Sequence, residues 1–236
     1  MRTGPLHIAI VGKGNLGTHL FNGLIDAHAP YFVGRDLQLH SPTDVVLVCV
    51  PDDQTASVCQ SLPQDALVAH TAGALPLQND ARRGVFYPLY SFTKEASLNW
   101  GEVPILLEAR TKEDETLLRE IALCLTKNVF HVPYEKREKL HAAAVMVNNF
   151  TNHLYTLAYE HAAEHDLPVE ILHAIMRQGP DKAIKLGPKK SQTGPAVRYD
   201  APTLAKHLDS IKDPEVQQLY RLLSGSIQKH HPKDEL

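Results

Sequence analysis

Gly12-Lys13-Gly14-Asn15-Leu16-Gly17 sets three glycines in GxGxxG spacing near the start of a 236-residue chain. Such a turn can hold a dinucleotide pyrophosphate. Gly12 permits the tight turn, Gly14 lets the backbone approach the phosphates, and Gly17 lets the next helix pack closely on the strand. Lys13, Asn15 and Leu16 share that turn, where a helix N-terminus offers free N–H groups and partial positive charge. The second expected strand ends at Gly34-Arg35-Asp36. A carboxylate at that tip usually takes the ribose 2′-hydroxyl, but glycine stands in its usual place. Arg35 can instead form a bidentate pair with a 2′-phosphate. NADP(H) is therefore the expected cofactor, with NAD(H) possible. Val50-Pro51-Asp52 ends a further strand at the same edge and would sit beside ribose and nicotinamide. Asp52-Asp53 could equally cap the following helix.

Hydride transfer to a carbonyl or imine needs a proton donor and groups that orient the substrate. His141 is the first acid/base candidate, because imidazole titrates near neutrality. Asn148 lies two helical turns further on the same face, and Asn149 stands about 12 Å along. Asn149 is the candidate orienting group. His70 and Thr71, just past a strand's carboxyl end, and Ser91 are further candidates. Lys182, Lys185, Lys189, Lys190 and Arg198 could receive a substrate carboxylate or be ordinary solvated cations. Arg198 and Asp200 could form an ion pair supported by Thr203 and His207. No metal site is expected, since apart from His230-His231 no His/Asp/Glu group shows useful ligand spacing.

These residues need a scaffold, and the apolar pattern supplies one. His7–Val11 reads as a buried strand, and residues 15–27 as an amphipathic helix. Strands are expected at Tyr31–Gly34, Val45–Val50, Ala66–His70, Gly84–Tyr87, Val103–Ala109 and Asn128–Val132, with helices at Gln54–Leu62 and Glu113–Thr126. Only Asp36–Asp44 separate the second strand from the third, too few for an ordinary parallel crossover, so a helix and a strand have been trimmed there. Beyond Pro133 the strand signal ends. One helix is expected from about Glu135 to His165, then helices at Pro168–Met176, Asp181–Leu186, Pro202–Ile211 and Pro214–Lys229, with a loop at Gly187–Asp200. The expected fold class is α/β: an N-terminal Rossmann parallel-sheet domain over 1–135, then an all-α domain over 136–236 for substrate binding and dimerisation.

The net charge of −3 argues against nucleic acid as a partner. No apolar run approaches the roughly 20 residues of a membrane span, and no signal peptide is evident, so a cytoplasmic protein is expected. Cys49, Cys59 and Cys124 lack CxxC spacing and read as reduced, buried thiols. Without a secretory route, Lys233-Asp234-Glu235-Leu236 and the sequon Asn149-Phe150-Thr151 are coincidences.

Residues 10–17 and Val50-Pro51-Asp52 resemble the pyrroline-5-carboxylate reductases and the deazaflavin-dependent NADP oxidoreductases. The chain more closely resembles uncharacterised Rossmann-like proteins with a C-terminal helical domain of unknown function. The residues that carry this are His70-Thr71-Ala72-Gly73-Ala74, Phe86-Tyr87-Pro88-Leu89, His141-Ala142-Ala143-Ala144-Val145 leading to Asn149, and Thr193–Asp200 followed by His207. Two departures stand out: Tyr87 replaces a usual histidine, and Tyr199 a usual glycine. The lysine that related hydroxyacid dehydrogenases place one turn before an asparagine is absent, with Val145 and Ala144 in those positions. The resemblance implies an NADP(H)-dependent oxidoreductase acting on a small carbonyl or imine compound between the domains, and a homodimer formed through the helical domain. The alternative is a non-catalytic, regulatory nicotinamide-nucleotide-binding protein.

Overall fold

Runs rich in Val, Ile and Leu, bounded by turn residues, build a seven-stranded sheet in the computed structural model, which describes residues 4–79 and 82–233. The strands are β1 (His7–Val11), β2 (Ala29–Val33), β3 (Val45–Val48), β4 (Leu67–His70), β5 (Arg83–Pro88), β6 (Ile105–Ala109) and β7 (Val129–His131), in spatial order β2-β1-β3-β4-β5-β6-β7. Helices α1 (Asn15–Leu24), α2 (Asp52–Ser61) and α3 (Lys112–Leu125) accompany them.

The period of two along each strand divides the core. Ile8 and Ile10 join Leu20 and Leu24 of α1 and Leu118, Ile121 and Leu125 of α3 on one face. Ala9 and Val11 join Val46, Val48, Cys59 and Leu62 on the other. Burial on both faces is the pattern of a parallel sheet covered by helices, and the α/β class expected from sequence holds. One pairing departs from a purely parallel sheet: β5 and β6 run antiparallel, Phe86 facing Leu107. The chain returns through residues 89–104 with only a short 3-10 turn, Trp100–Glu102, instead of a crossover helix.

β3 pairs directly with β1, from Ile8↔Val45 to Val11↔Val48. The outer strand of a full dinucleotide fold is therefore absent, as the short β2–β3 connection implied. The chain leaves β1 toward β2 on one side and returns to β3 on the other, so the strand order reverses at β1, where ligands of open α/β sheets bind.

From Tyr134 the chain is helical as far as Glu164: α4 (Tyr134–Ala144), a π-helical turn (Val145–Phe150) and α5 (Thr151–Glu164). The compact units divide between Val147 and Asn148, later than the expected 135. Arg137 explains the shift: it is fully buried and ion-paired to Glu108 of β6, so α4 is anchored on the sheet.

The second unit continues with a 3-10 turn (Val169–Leu172), α6 (His173–Leu186), α7 (Pro188–Ser191), α8 (Ala201–Ser210) and α9 (Pro214–His230). Two expectations change. Gly179-Pro180 does not break the chain into two helices; Pro180 lies inside α6 at the cost of one backbone hydrogen bond. The loop from Gly187 contains the single turn α7. Asp200 and Asp213 cap α8 and α9 by accepting from the Thr203 and Glu215 amides at 3.2 and 2.7 Å. Gln217 fastens α9 to the end of α8 through the Leu208 and Ile211 carbonyls. Tyr199 sits at φ 54°, the left-handed region where glycine is easiest, which accounts for the usual glycine there. Its hydroxyl donates to the Gln228 and His231 carbonyls at the end of α9.

Among the described residues no helix is long and apolar enough to cross a membrane. Cys59 is buried and its thiol is pushed up to about 11 by burial, whereas Cys124 is exposed, contrary to the expectation of three buried thiols. Asp234 to Leu236, most of the apparent retrieval signal, lie outside the described residues.

Candidate functional site

The glycine turn follows β1 directly and opens α1. Each of its glycines meets a different constraint. A Cβ on Gly12 would stand 2.4 Å from the Cys49 carbonyl oxygen, and Gly12 also has φ +109°. A Cβ on Gly17 would stand 2.0 Å from the Gly12 carbonyl oxygen. Both positions are closed by the protein's own backbone. Gly14 differs: its φ is −72°, and an added Cβ would meet nothing within 4 Å. No internal contact demands glycine there, and the space above it is open to a ligand.

No side chain caps the N-terminus of α1, and its first turn holds no acid. The leading amides and the positive end of the helix dipole thus remain available to an anion. The Asn15 side chain is engaged by the protein itself, donating to the Phe92 carbonyl at 2.8 Å, so its backbone is what serves the turn. Lys13 lies over the Phe32 ring at 5.2 Å. A cavity of about 770 Å³ runs beside the turn, lined by Gly12, Lys13, Gly34, Arg35, Val50 and Gln54 among others. Arg35 is exposed on its wall. Pro51 is the N-cap residue of α2 and makes no side-chain cap bond; Asp52 and Asp53 occupy the first turn, where their charge suits the dipole.

Further along the same carboxyl edge, two side chains meet. The Tyr87 hydroxyl, near the end of β5, lies 3.0 Å from Nδ1 of His141 on α4. Burial raises the Tyr87 phenol above its ordinary value, the Asp52 carboxylate adds to this, and Arg137 opposes it. Tyr87 therefore stays protonated near neutrality, and its hydroxyl pairs with Nδ1 as donor or as acceptor according to the His141 tautomer. Gly73 makes room for the pair: a Cβ there would come within 2.7 Å of both rings.

His70 has a different place. It is 3% exposed, Nδ1 accepts the Ala72 amide and Nε2 faces the Pro76 carbonyl at 3.3 Å. Burial lowers it to about 4, helped by Arg137, so it is neutral at physiological pH with both nitrogens engaged. Arg137 also donates to the Leu75 carbonyl at 2.6 Å. His70 and Arg137 thus fix residues 71–76, the segment that carries Gly73. Thr71 is buried and bonded to the Val48 carbonyl at 3.0 Å, and Ser91 is exposed after β5.

Asn148 and Asn149 are both exposed in the π-helical turn. The i→i+5 bonding of that turn departs from the regular α-helical spacing on which the expected shared face was counted. Asp200 bonds Thr203 and caps α8, and the Arg198 and His207 charges also act on its carboxylate, though no direct Arg198–Asp200 bond stands among the described contacts; His207 bonds the Tyr220 hydroxyl at 2.7 Å. The expected lack of metal-ligand spacing also needs correction: His161, Glu164 and His165, one turn of α5, bring their ligand atoms within 4.8 Å of one another. Tyr87 and Arg137 were not among the expected site residues. The unusual tyrosine in the Tyr87-Pro88-Leu89 segment was the only signal for the first; Arg137 gave none.

Comparison with known proteins fits this geometry. Residues 103–227 match a domain of unknown function, DUF2520. A crystal structure from Bacteroides fragilis, provisionally named an NADP oxidoreductase, is 31% identical over 95% of this chain and 98% of its own, with a TM-score of 0.85. A Thermotoga maritima protein of known structure is 22% identical over 97% and 100%, with a TM-score of 0.76. A reductive aminase from Aspergillus terreus, solved with NADPH and ethyl levulinate, is 12% identical over 96% and 93%, with a TM-score of 0.69; these two likenesses speak for the fold. Among proteins of curated function none matches. The chain belongs to the family of Rossmann-like proteins that carry the helical domain of unknown function DUF2520.

Proposed function

We propose that the chain is an NADP(H)-dependent oxidoreductase that reduces a small carbonyl or imine compound. The observation that carries this reading is Gly14, a glycine that neither packing nor backbone angle requires, at the open N-terminus of α1. The name of the B. fragilis relative and the NADPH in the reductive aminase support the same cofactor. Residues 12–17 would hold the pyrophosphate, Arg35 the 2′-phosphate, and Val50, Pro51 and Asp52 the ribose and nicotinamide side. NADP(H) is preferred because Arg35 can pair with the 2′-phosphate; NAD(H) would lose that contact.

When bound, the nicotinamide supplies the hydride. The chain supplies the proton: His141 as the imidazolium gives it from Nε2, while its Nδ1–H donates to the Tyr87 hydroxyl oxygen, which fixes the ring. Asn149, exposed in a π turn of the kind often found at functional sites, has the orienting role. His70 is a positioning residue in this reading. A homodimer formed through the helical unit is part of the proposal, supported by exposed Phe150, Ile171, Ile175 and Ile184, as is a cytoplasmic location.

NADPH oxidation against a panel of small ketones, aldehydes and cyclic imines tests the reading. At least one class should turn over, with His141→Ala lowering kcat by about 100-fold and Tyr87→Phe by less. Tight NADPH binding without turnover of any panel member would favour the regulatory alternative, for which the absent lysine and the trimmed β2–β3 connection speak. Arg35→Ala should weaken NADPH binding and spare NADH; equal loss of both would remove the NADP preference.

A further inference from the structure

We propose that His161, Glu164 and His165 bind a divalent transition-metal ion, Zn2+ by donor chemistry, at the C-terminal turn of α5. Residues three and four apart project from one helix face, and His161-Ala162-Ala163-Glu164-His165 uses both spacings. Their candidate ligand atoms already lie within 4.8 Å of one another. Tetrahedral coordination at about 2.0–2.1 Å needs ligand atoms roughly 3.3 Å apart, a closure that exposed side chains reach by small rotations. The His161 and His165 rings stand edge to face with centroids 4.7 Å apart, so neither ring lies flat across the other.

The second observation is the outer contact of His165. Its Nε2 lies 3.3 Å from the Ser210 carbonyl oxygen, so Nε2–H donates and Nδ1 keeps its lone pair. Metal-binding histidines are generally fixed in this way by a carbonyl or carboxylate on the far nitrogen. Two imidazoles and one carboxylate select zinc-like ions over Mg2+ or Ca2+, which prefer oxygen donors. The only ion pair of Glu164 among the described residues, with Lys212 at 3.8 Å, is exposed on both sides and is worth little, so a cation displaces it at small cost. Ser210 ends α8 and Lys212 lies in the link to α9. An ion at this turn would therefore clip the end of α5 to the α8–α9 connection, with water in its open positions.

Calorimetry of the metal-free full-length protein with ZnCl2, paired with thermal melting, decides the matter without any cofactor. One equivalent should bind with micromolar affinity and raise the melting temperature. H161Q and H165Q should each weaken binding at least about tenfold, a loss of roughly 1.4 kcal/mol, and leave melting without zinc unchanged. The double variant H230Q/H231Q controls for the other adjacent histidines and should bind as the wild type does. No zinc-dependent heat or stabilisation up to about 100 times micromolar levels, or binding that persists in H161Q/H165Q, would overturn the site.

Discussion

The two units solve burial differently. In the first, both faces of the sheet are closed by helices, and Ile8, Ile10, Val46, Leu47 and Phe86 are completely or almost completely inaccessible. In the second, Ala162, Ala196 and Val197 are the only buried hydrophobic residues among those described, while Ile184 is 83% and Ile171 70% exposed. Isoleucines left in water forgo about 1.5–3 kcal/mol each. The first unit therefore holds its own core and can support a precise site. The second leaves apolar helix faces exposed, the faces that the proposed homodimer would use.

Breaking the first unit should have the largest effect. Arg137→Met leaves Glu108 and the Leu75 and Val132 carbonyls without their donor, and thermal or urea unfolding should report a loss of about 3–5 kcal/mol. A loss below about 1 kcal/mol would mean that α4 is not anchored as described. Acid should act next. His70 has a folded value of about 4 against about 6.5 when unfolded. The unfolded chain therefore binds the proton first as pH falls. Stability contributed by neutral His70 is complete above about 6.5 and is lost toward 4, roughly 3 kcal/mol in all. His70→Gln should flatten that window in urea titrations at successive pH values; an unchanged slope would contradict it.

The second unit is tested by mass. Light scattering at micromolar concentration should give a dimer, and Ile175→Asp with Ile184→Asp should raise its dissociation constant at least tenfold, about 1.4 kcal/mol. A monomeric wild type would end the proposed role of those faces.

Much of the fold was legible because it depends on local pattern. Strand periodicity located all seven strands to within a few residues, and the short Asp36–Asp44 link revealed the trimmed strand order. The reversed direction of β6 was not legible, since an apolar run reads alike in either direction. The α4 boundary was hidden for a related reason: a single buried arginine moved it, and long-range pairing leaves no periodic trace. At the site, the glycine turn was evident from spacing, whereas the Tyr87–His141 pair joins residues 54 positions apart. His70 looked reactive because its strand-end position was visible and its two hydrogen bonds were not. The His161, Glu164 and His165 spacing stands in the sequence but spans one helical turn instead of a contiguous motif, so only the folded helix brings the three together.

The most direct measurement titrates NADPH into wild type, Gly14→Ala and Gly17→Ala, with melting recorded alongside. Gly17→Ala should lose stability, by about 1–3 kcal/mol for overpacking. Gly14→Ala should melt within about 0.5 kcal/mol of wild type yet bind NADPH at least tenfold more weakly, because its added methyl meets only the ligand. A wild type that gives no heat with NADPH or NADH, or a Gly14→Ala variant that binds NADPH as tightly as wild type, would contradict the assignment of residues 12–17 to a dinucleotide.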